Sequence, residues 1–145
     1  LEAFQSGLSW ITILRRRESF RTAFADFDPV VVAGYGPGDV ARLLLDPGII
    51  RNRLKIEAGI ANARTVLRMR SRGESLSELV WSFAPPPGRA APGGKSDVPV
   101  TTLESTALAK ALKQVGFRFV GPTTAYASMQ ACGVVNDHLE RCPAR

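Results

Sequence analysis

Apolar residues recur at three- and four-residue intervals along nearly the whole chain, the spacing of helices that bury one face. Leu1 and Phe4, then Leu8 beyond a break at Gly7, read as core positions, and Ser6-Gly7 ends a first helix as glycine commonly does. Ser9 is placed to cap the next, along which Trp10, Ile13, Leu14, Phe20 and Phe24 keep near-helical spacing. Asp28-Pro29 is a helix start, the aspartate capping and the proline in first position, and leads into Val30 to Ala33. Pro37 opens another, DVARLLL, which Asp46-Pro47-Gly48 ends. The longest periodic stretch covers residues 49 to 72. Ile49, Ile56, Ile60, Ala63 and Leu67 line one side of it, with Arg51, Arg53, Lys55, Arg64 and Arg68 interspersed. Leu76 to Phe83 is a shorter helix containing Trp81.

The pattern then lapses. APPPGRAAPGGKSDVPV, residues 84 to 100, is too rich in Pro and Gly for a helix or a central strand, and reads as a surface loop joining two helical halves. Periodicity resumes in LESTALAKALKQVGF, with Leu103, Leu108, Ala111 and Leu112 towards the core. After GFRFVG a last long helix, residues 122 to 132, carries Tyr126, Met129 and Cys132. No segment reads as a strand, so the expected class is all-α.

Composition narrows this only slightly. The 145 residues, 45% of them hydrophobic, make one domain with a real core. No apolar run is long enough to span a membrane and no signal-peptide pattern is present, so no membrane partner is expected. Lys and Arg outnumber Asp and Glu by 19 to 13, a net charge of +6 that favours a polyanionic partner without singling one out. Arg15, Arg16 and Arg17 form a basic cluster that fits a solvated face as well as a DNA contact. Two cysteines make no disulfide framework and fit a reduced, intracellular setting. The chain opens on Leu1 as though inside a helix, which gives the expectation of a fragment lacking its N-terminal segment.

Two stretches carry candidate chemistry. VVNDHLERC holds the only histidine, His138, with Cys142 four residues on. That spacing suits a metal if residues 138 to 142 form a helical turn, yet a closed structural zinc site takes four ligands. Cys132 reads as a core residue beside Met129. In GFRFVGPTTAYASMQACG a helix ends at Gly116 and another begins at Gly121-Pro122. Such a turn lets backbone amides approach an anion such as a DNA phosphate, though on this stretch alone an ordinary helical hairpin is the favoured reading.

GLSWITILRRRESFR, GIIRNRLKI, VWSFAPP, KALKQVGFRFVG and SMQACGVVNDHLERC resemble, in order, successive segments of the 3-methyladenine DNA glycosylases of type I. The resemblance covers almost all of the chain outside the Pro/Gly-rich loop. It implies one helical glycosylase domain over residues 1–145, an orthogonal bundle of the helix-hairpin-helix superfamily, monomeric and cytoplasmic in a bacterium. The implied partner is double-stranded alkylated DNA. The implied activity is base-excision repair: flipping out 3-methyladenine and hydrolysing its N-glycosidic bond to leave an abasic site.

Residue by residue, the resemblance makes Glu2 the pocket carboxylate, which stands as both catalytic and base-binding residue, and Trp10 an aromatic wall of the same pocket. An adenine alkylated at N3 is cationic until its glycosidic bond breaks, so a carboxylate and aromatic faces favour it over adenine. Without the resemblance, Glu2 reads as a terminal surface residue and Trp10 as a core one. Gly116, Phe117, Val120, Gly121 and Thr123 fall in the DNA-gripping hairpin. His138 and Cys142 match half of a zinc site whose other Cys and His would precede Leu1, giving zinc as a structural cofactor with two of its ligands in this chain. Where related glycosylases carry a catalytic Asp two residues before such a histidine, this chain has Asn136; Asp137, next to it, is expected to point elsewhere. No lysine in the hairpin could form a Schiff base, so strand cleavage is not expected. The alternative is a catalytically silent helix-hairpin-helix module that binds DNA without using Glu2 or Trp10.

Overall fold

The structure, a computed structural model, describes residues 1–88 and 90–144; Arg89 of the Pro/Gly-rich loop and Arg145 lie outside the described residues. Among the described residues every regular element is a helix and no strand occurs. In chain order these are α1 (Glu2–Gln5), α2 (Trp10–Leu14), α3 (Arg17–Ala23), α4 (Pro29–Ala33), α5 (Pro37–Leu45), α6 (Arg53–Ser71), α7 (Leu76–Trp81), α8 (Leu103–Val115) and α9 (Pro122–Ala131).

Several starts follow the local chemistry. The Asp28 carboxylate accepts from the Val30 N–H ahead of α4, the Asn52 side chain from the Lys55 N–H ahead of α6, and Ser75 from the Glu78 N–H ahead of α7. The segment from Trp10 to Phe24 departs from a single helix. It breaks at Arg15–Arg16 into α2 and α3, so Ile13, Phe20 and Phe24 are buried while Trp10 and Leu14 stay partly exposed. After α3 the chain makes a left-handed turn of three non-glycine residues, Ala25, Asp26 and Phe27, with φ of 48°, 54° and 61°. Such residues cost about 1–2 kcal/mol each. An Arg21–Asp26 ion pair at 3.1 Å and the Phe27 ring stacked 6.3 Å from Phe24 hold the turn.

Two apolar cores organise the packing. The first gathers Phe4, Ile13, Phe20, Phe24, Val32, Leu43, Ile56 and Ile60. The second gathers Leu108, Leu112, Tyr126, Met129, Val134 and Val135, with Leu76, Leu79, Val80 and Phe83 packed against it. Since α7 belongs to the second core, the change of core falls at the Gly73–Ser75 turn and not at the loop of residues 84–100. That loop is also less superficial than its composition predicts. Pro92 is buried, and its carbonyl accepts the Glu140 N–H at 3.1 Å.

Leu103 and Cys132, both expected inside, lie outside. Leu103 is 86% exposed, because it is the first residue of α8 and the buried face is Ser105, Leu108, Ala109 and Leu112. Cys132 is exposed, the reverse of the core position expected. It sits just past α9, where Gly133 (φ +75°) turns the chain back. The Val134 and Val135 N–H groups then bond the Met129 carbonyl at 2.9 and 3.2 Å, and their side chains take the core place.

Candidate active site

α1 is four residues long and has no side-chain cap, so it has no stability of its own. Tertiary contacts hold it. Phe4 is buried edge-on against Phe20 and Phe24, with ring centres 4.7 and 5.7 Å away. The Lys55 ammonium, on α6, donates to the Phe4 carbonyl at 3.0 Å and the Ser6 carbonyl at 2.5 Å. The chain then bends at Gly7 (φ +79°), leaves Leu8 41% exposed where a core residue was expected, and enters α2.

Glu2 before the bend and Trp10 after it thereby line one cleft of about 740 Å³. Its other walls include Gln5, Gln130 of α9, and Asp137 and His138 of the C-terminal segment. Trp10 is 38% exposed, so it is a wall and not a core residue. Burial raises the Glu2 carboxyl above the usual carboxylate range. Glu2 also borders an adjoining hollow of about 380 Å³, which it shares with Leu8 and Thr123.

Asp137 corrects the expectation that it points elsewhere. Residues 135 to 139 are irregular, and the Asn136 side chain accepts the His138 N–H at 3.1 Å in a local turn. Asp137 then reaches the same cleft as Glu2, where its Oδ2 accepts from the buried Tyr126 hydroxyl at 2.5 Å and from Gln130 at 2.7 Å. Periodicity could not find it, because its position depends on the turn and not on a helix.

The hairpin between α8 and α9 is built as a rigid bend. Gly116 adopts φ +116°, and a Cβ there would approach the Arg68 guanidinium to 3.1 Å, so both backbone and space call for glycine. α6 grips the turn along one face. The Asn62 amide accepts the Arg118 N–H at 2.8 Å and donates to the Arg118 carbonyl at 3.1 Å. Buried Thr65 donates to the Ala61 carbonyl and lies 3.4 Å from the Gly116 carbonyl. Phe117 and Val120 pack against the second core, which leaves backbone rather than these side chains to meet a partner. Gly121 caps α9 in an extended conformation with open space around it. Thr123, two residues on, faces the hollow beside Glu2, so hairpin and cleft share a rim.

His138 and Cys142 come together as the spacing predicts, Nδ1 and Sγ being 3.4 Å apart. They do so without a helical turn: a tighter bend, closed by the Cys142 N–H on the Leu139 carbonyl at 2.8 Å, brings them round. Among the described residues no group of three or more His, Cys, Asp or Glu gathers as metal ligands would.

The family model for methyladenine glycosylase matches residues 1–145, the entire chain. The chain belongs to that family. DNA-3-methyladenine glycosylase 1 of Escherichia coli is 51% identical over 143 residues, which are 98% of this chain and 76% of that protein. Among solved structures, a 3-methyladenine DNA glycosylase I superposes with a TM-score of 0.95 at 49% identity, over 99% of this chain and 80% of that one. A single-residue variant of such an enzyme, in complex with 3-methyladenine, superposes with a TM-score of 0.91 at 36% identity, over 99% and 77%. Among the described residues no helix is long and apolar enough to cross a membrane.

Proposed function

We infer that this methyladenine glycosylase excises 3-methyladenine from double-stranded alkylated DNA. The observation that carries the reading is that Glu2 and Trp10, on opposite sides of the Gly7 bend, line one cleft beside the α8–α9 hairpin. An extruded base entering the cleft meets an aromatic face and a carboxylate. Trp10 stacks on the cationic ring, and Glu2 accepts a hydrogen bond from the exocyclic amine while opposing the ring charge. The reaction then needs little acid–base help. The C1′–N9 bond breaks with its electron pair passing to the base, which leaves neutral; water adds to C1′ and loses a proton, leaving an abasic site. Adenine would depart as an anion and lacks the attraction to Glu2, so the cleft selects by charge.

The hairpin grips the phosphate backbone through the amides from Gly121 into the first turn of α9, those of Gly116, Phe117 and Arg118 being bonded within the protein, and the basic balance of the chain supports that grip. Its six residues 116–121 include no lysine, in keeping with hydrolysis and no strand cleavage. The test is incubation with methylated duplex DNA, with released bases and strand integrity both followed. Release of 3-methyladenine without nicking is expected; DNA binding with no base release would leave the silent DNA-binding module instead.

His138 and Cys142 would supply half of a structural zinc site. Two ligands of one tetrahedral zinc stand about 3.5 Å apart, given the usual bond lengths, and the observed spacing of 3.4 Å fits. Bound zinc would tie the C-terminal segment, including Asp137, in place and add its affinity to folding stability. Metal analysis of the purified protein, paired with Cys142→Ser, tests this: zinc lost with the thiol supports the site, and zinc content unchanged by the substitution removes it.

A further inference from the structure

We propose that Lys55 is a positioning residue for base selection, its ammonium serving as the peg that sets Glu2 and Trp10 on opposite sides of the Gly7 bend. The proposal rests on the reading of Glu2 and Trp10 as base-recognition residues. Lys55 leaves the pattern of its helix. The other basic residues of α6 reach solvent or polar surface, whereas Lys55 is 7% exposed, and burial lowers its ammonium below the ordinary lysine range. A buried cation is costly unless fully bonded. Here its two bonds go to the carbonyls of Phe4 and Ser6, at the end of α1 and in the connection that follows.

Those carbonyls lie between the two cleft residues in sequence. α1 has no cap and only one buried side chain, Phe4, which fixes depth but not the direction of the chain beyond it. Carbonyls at a helix end lack partners within the helix, and a cation there satisfies them and favours the helix dipole. One ammonium bonded to two carbonyls two residues apart fixes where the bend begins, and hence how far Trp10 stands from Glu2. Among the described residues Lys55 bonds these carbonyls and not the Glu2 carboxylate, and it is burial that raises the one group and lowers the other. The influence runs through the backbone.

The experiment compares wild type, Lys55→Met, Lys55→Gln and Glu2→Gln, each alone and with Lys55→Met added to Glu2→Gln. Folding is checked by melting, free 3-methyladenine binding by calorimetry, and undamaged duplex binding by anisotropy. A misplacement of about 1 Å costs up to about a hundredfold at a reacting site, so a loss of about tenfold or more in base affinity is expected for Lys55→Met. Duplex affinity should change by less than about twofold, since exposed phosphate contacts are made elsewhere. The double variant should lose less than the sum of the two single losses, because part of the effect of Lys55 acts through Glu2. Should Lys55→Met fail to fold, Lys55→Gln, which keeps an N–H donor, carries the same expectation. Undiminished base affinity in a folded Lys55 variant would overturn the proposal, as would equal losses for base and duplex or additive losses in the double variant. If Glu2→Gln itself leaves base affinity intact, the pocket assignment fails and not merely the role of Lys55.

Discussion

Glu2 places a carboxylate where burial opposes its ionisation, and that conflict has a measurable consequence. Its folded-state pKa lies above the unfolded value, so the ionised form costs the fold stability. The cost is absent below the unfolded pKa, grows as pH rises towards the folded value, and is complete above it. Glu2→Gln should therefore melt higher than wild type at neutral pH, with the gain vanishing in acid, as thermal melts across pH would show. The same variant should lose about tenfold in the preference for 3-methyladenine over adenine, with one charge-assisted hydrogen bond gone, while duplex binding is kept. A variant that melts higher and still discriminates would separate the burial from any role in recognition. Little of this is legible residue by residue. Glu2 and Trp10 gain their meaning from the resemblance, because an acid next to the first residue and a tryptophan after a glycine have duller uses. The placements of Lys55 and Asp137 are not legible at all: one is buried through contacts 49 and 51 residues away in sequence, and the other is aimed by an irregular turn.

At the scale of elements, the hairpin is the part most strictly determined. Gly116→Ala forces a side chain onto a positive-φ residue and against Arg68, and should destabilise the protein by roughly 1–3 kcal/mol in denaturant unfolding. Asn62→Ala removes the two bonds to Arg118 that help clip the turn to α6 and should cost about 1 kcal/mol of stability. Its larger effect should be on duplex affinity, with free-base binding unchanged, because the hairpin lies outside the cleft. Equal losses in the two affinities would mean that Asn62 supports the whole molecule rather than the turn. Helix starts and the glycine at the end of α8 are legible in the sequence, since each is a local bargain between a side chain and the nearest backbone groups. The break at Arg15–Arg16 and the left-handed turn at residues 25 to 27 are not. The left-handed turn runs against local preference, and the Phe27 ring stacked on Phe24 together with the Arg21–Asp26 ion pair holds it.

For the molecule as a whole, α1 packs against both α6 of the first core and α9 of the second, and so joins the two. The cleft lies on the α1–α9 side, with the hairpin at its edge. Two kinds of binding should thus respond differently to salt. Affinity for undamaged duplex should fall steeply with ionic strength, each lost phosphate contact reducing the log–log slope by about 1, whereas free-base binding in the cleft should scarcely change. A duplex affinity indifferent to salt would contradict a backbone grip. The claim that the cleft between Glu2 and Trp10 is the base pocket has a more direct test, because the chain has only two tryptophans, Trp10 and Trp81. Trp81 lies on α7 and does not line the cleft, so Trp81→Phe leaves Trp10 as the sole indole reporter. Titrating that variant with 3-methyladenine should quench its fluorescence saturably, and adenine at the same concentrations should not. Saturable binding of 3-methyladenine that leaves Trp10 fluorescence unaltered would contradict the assignment.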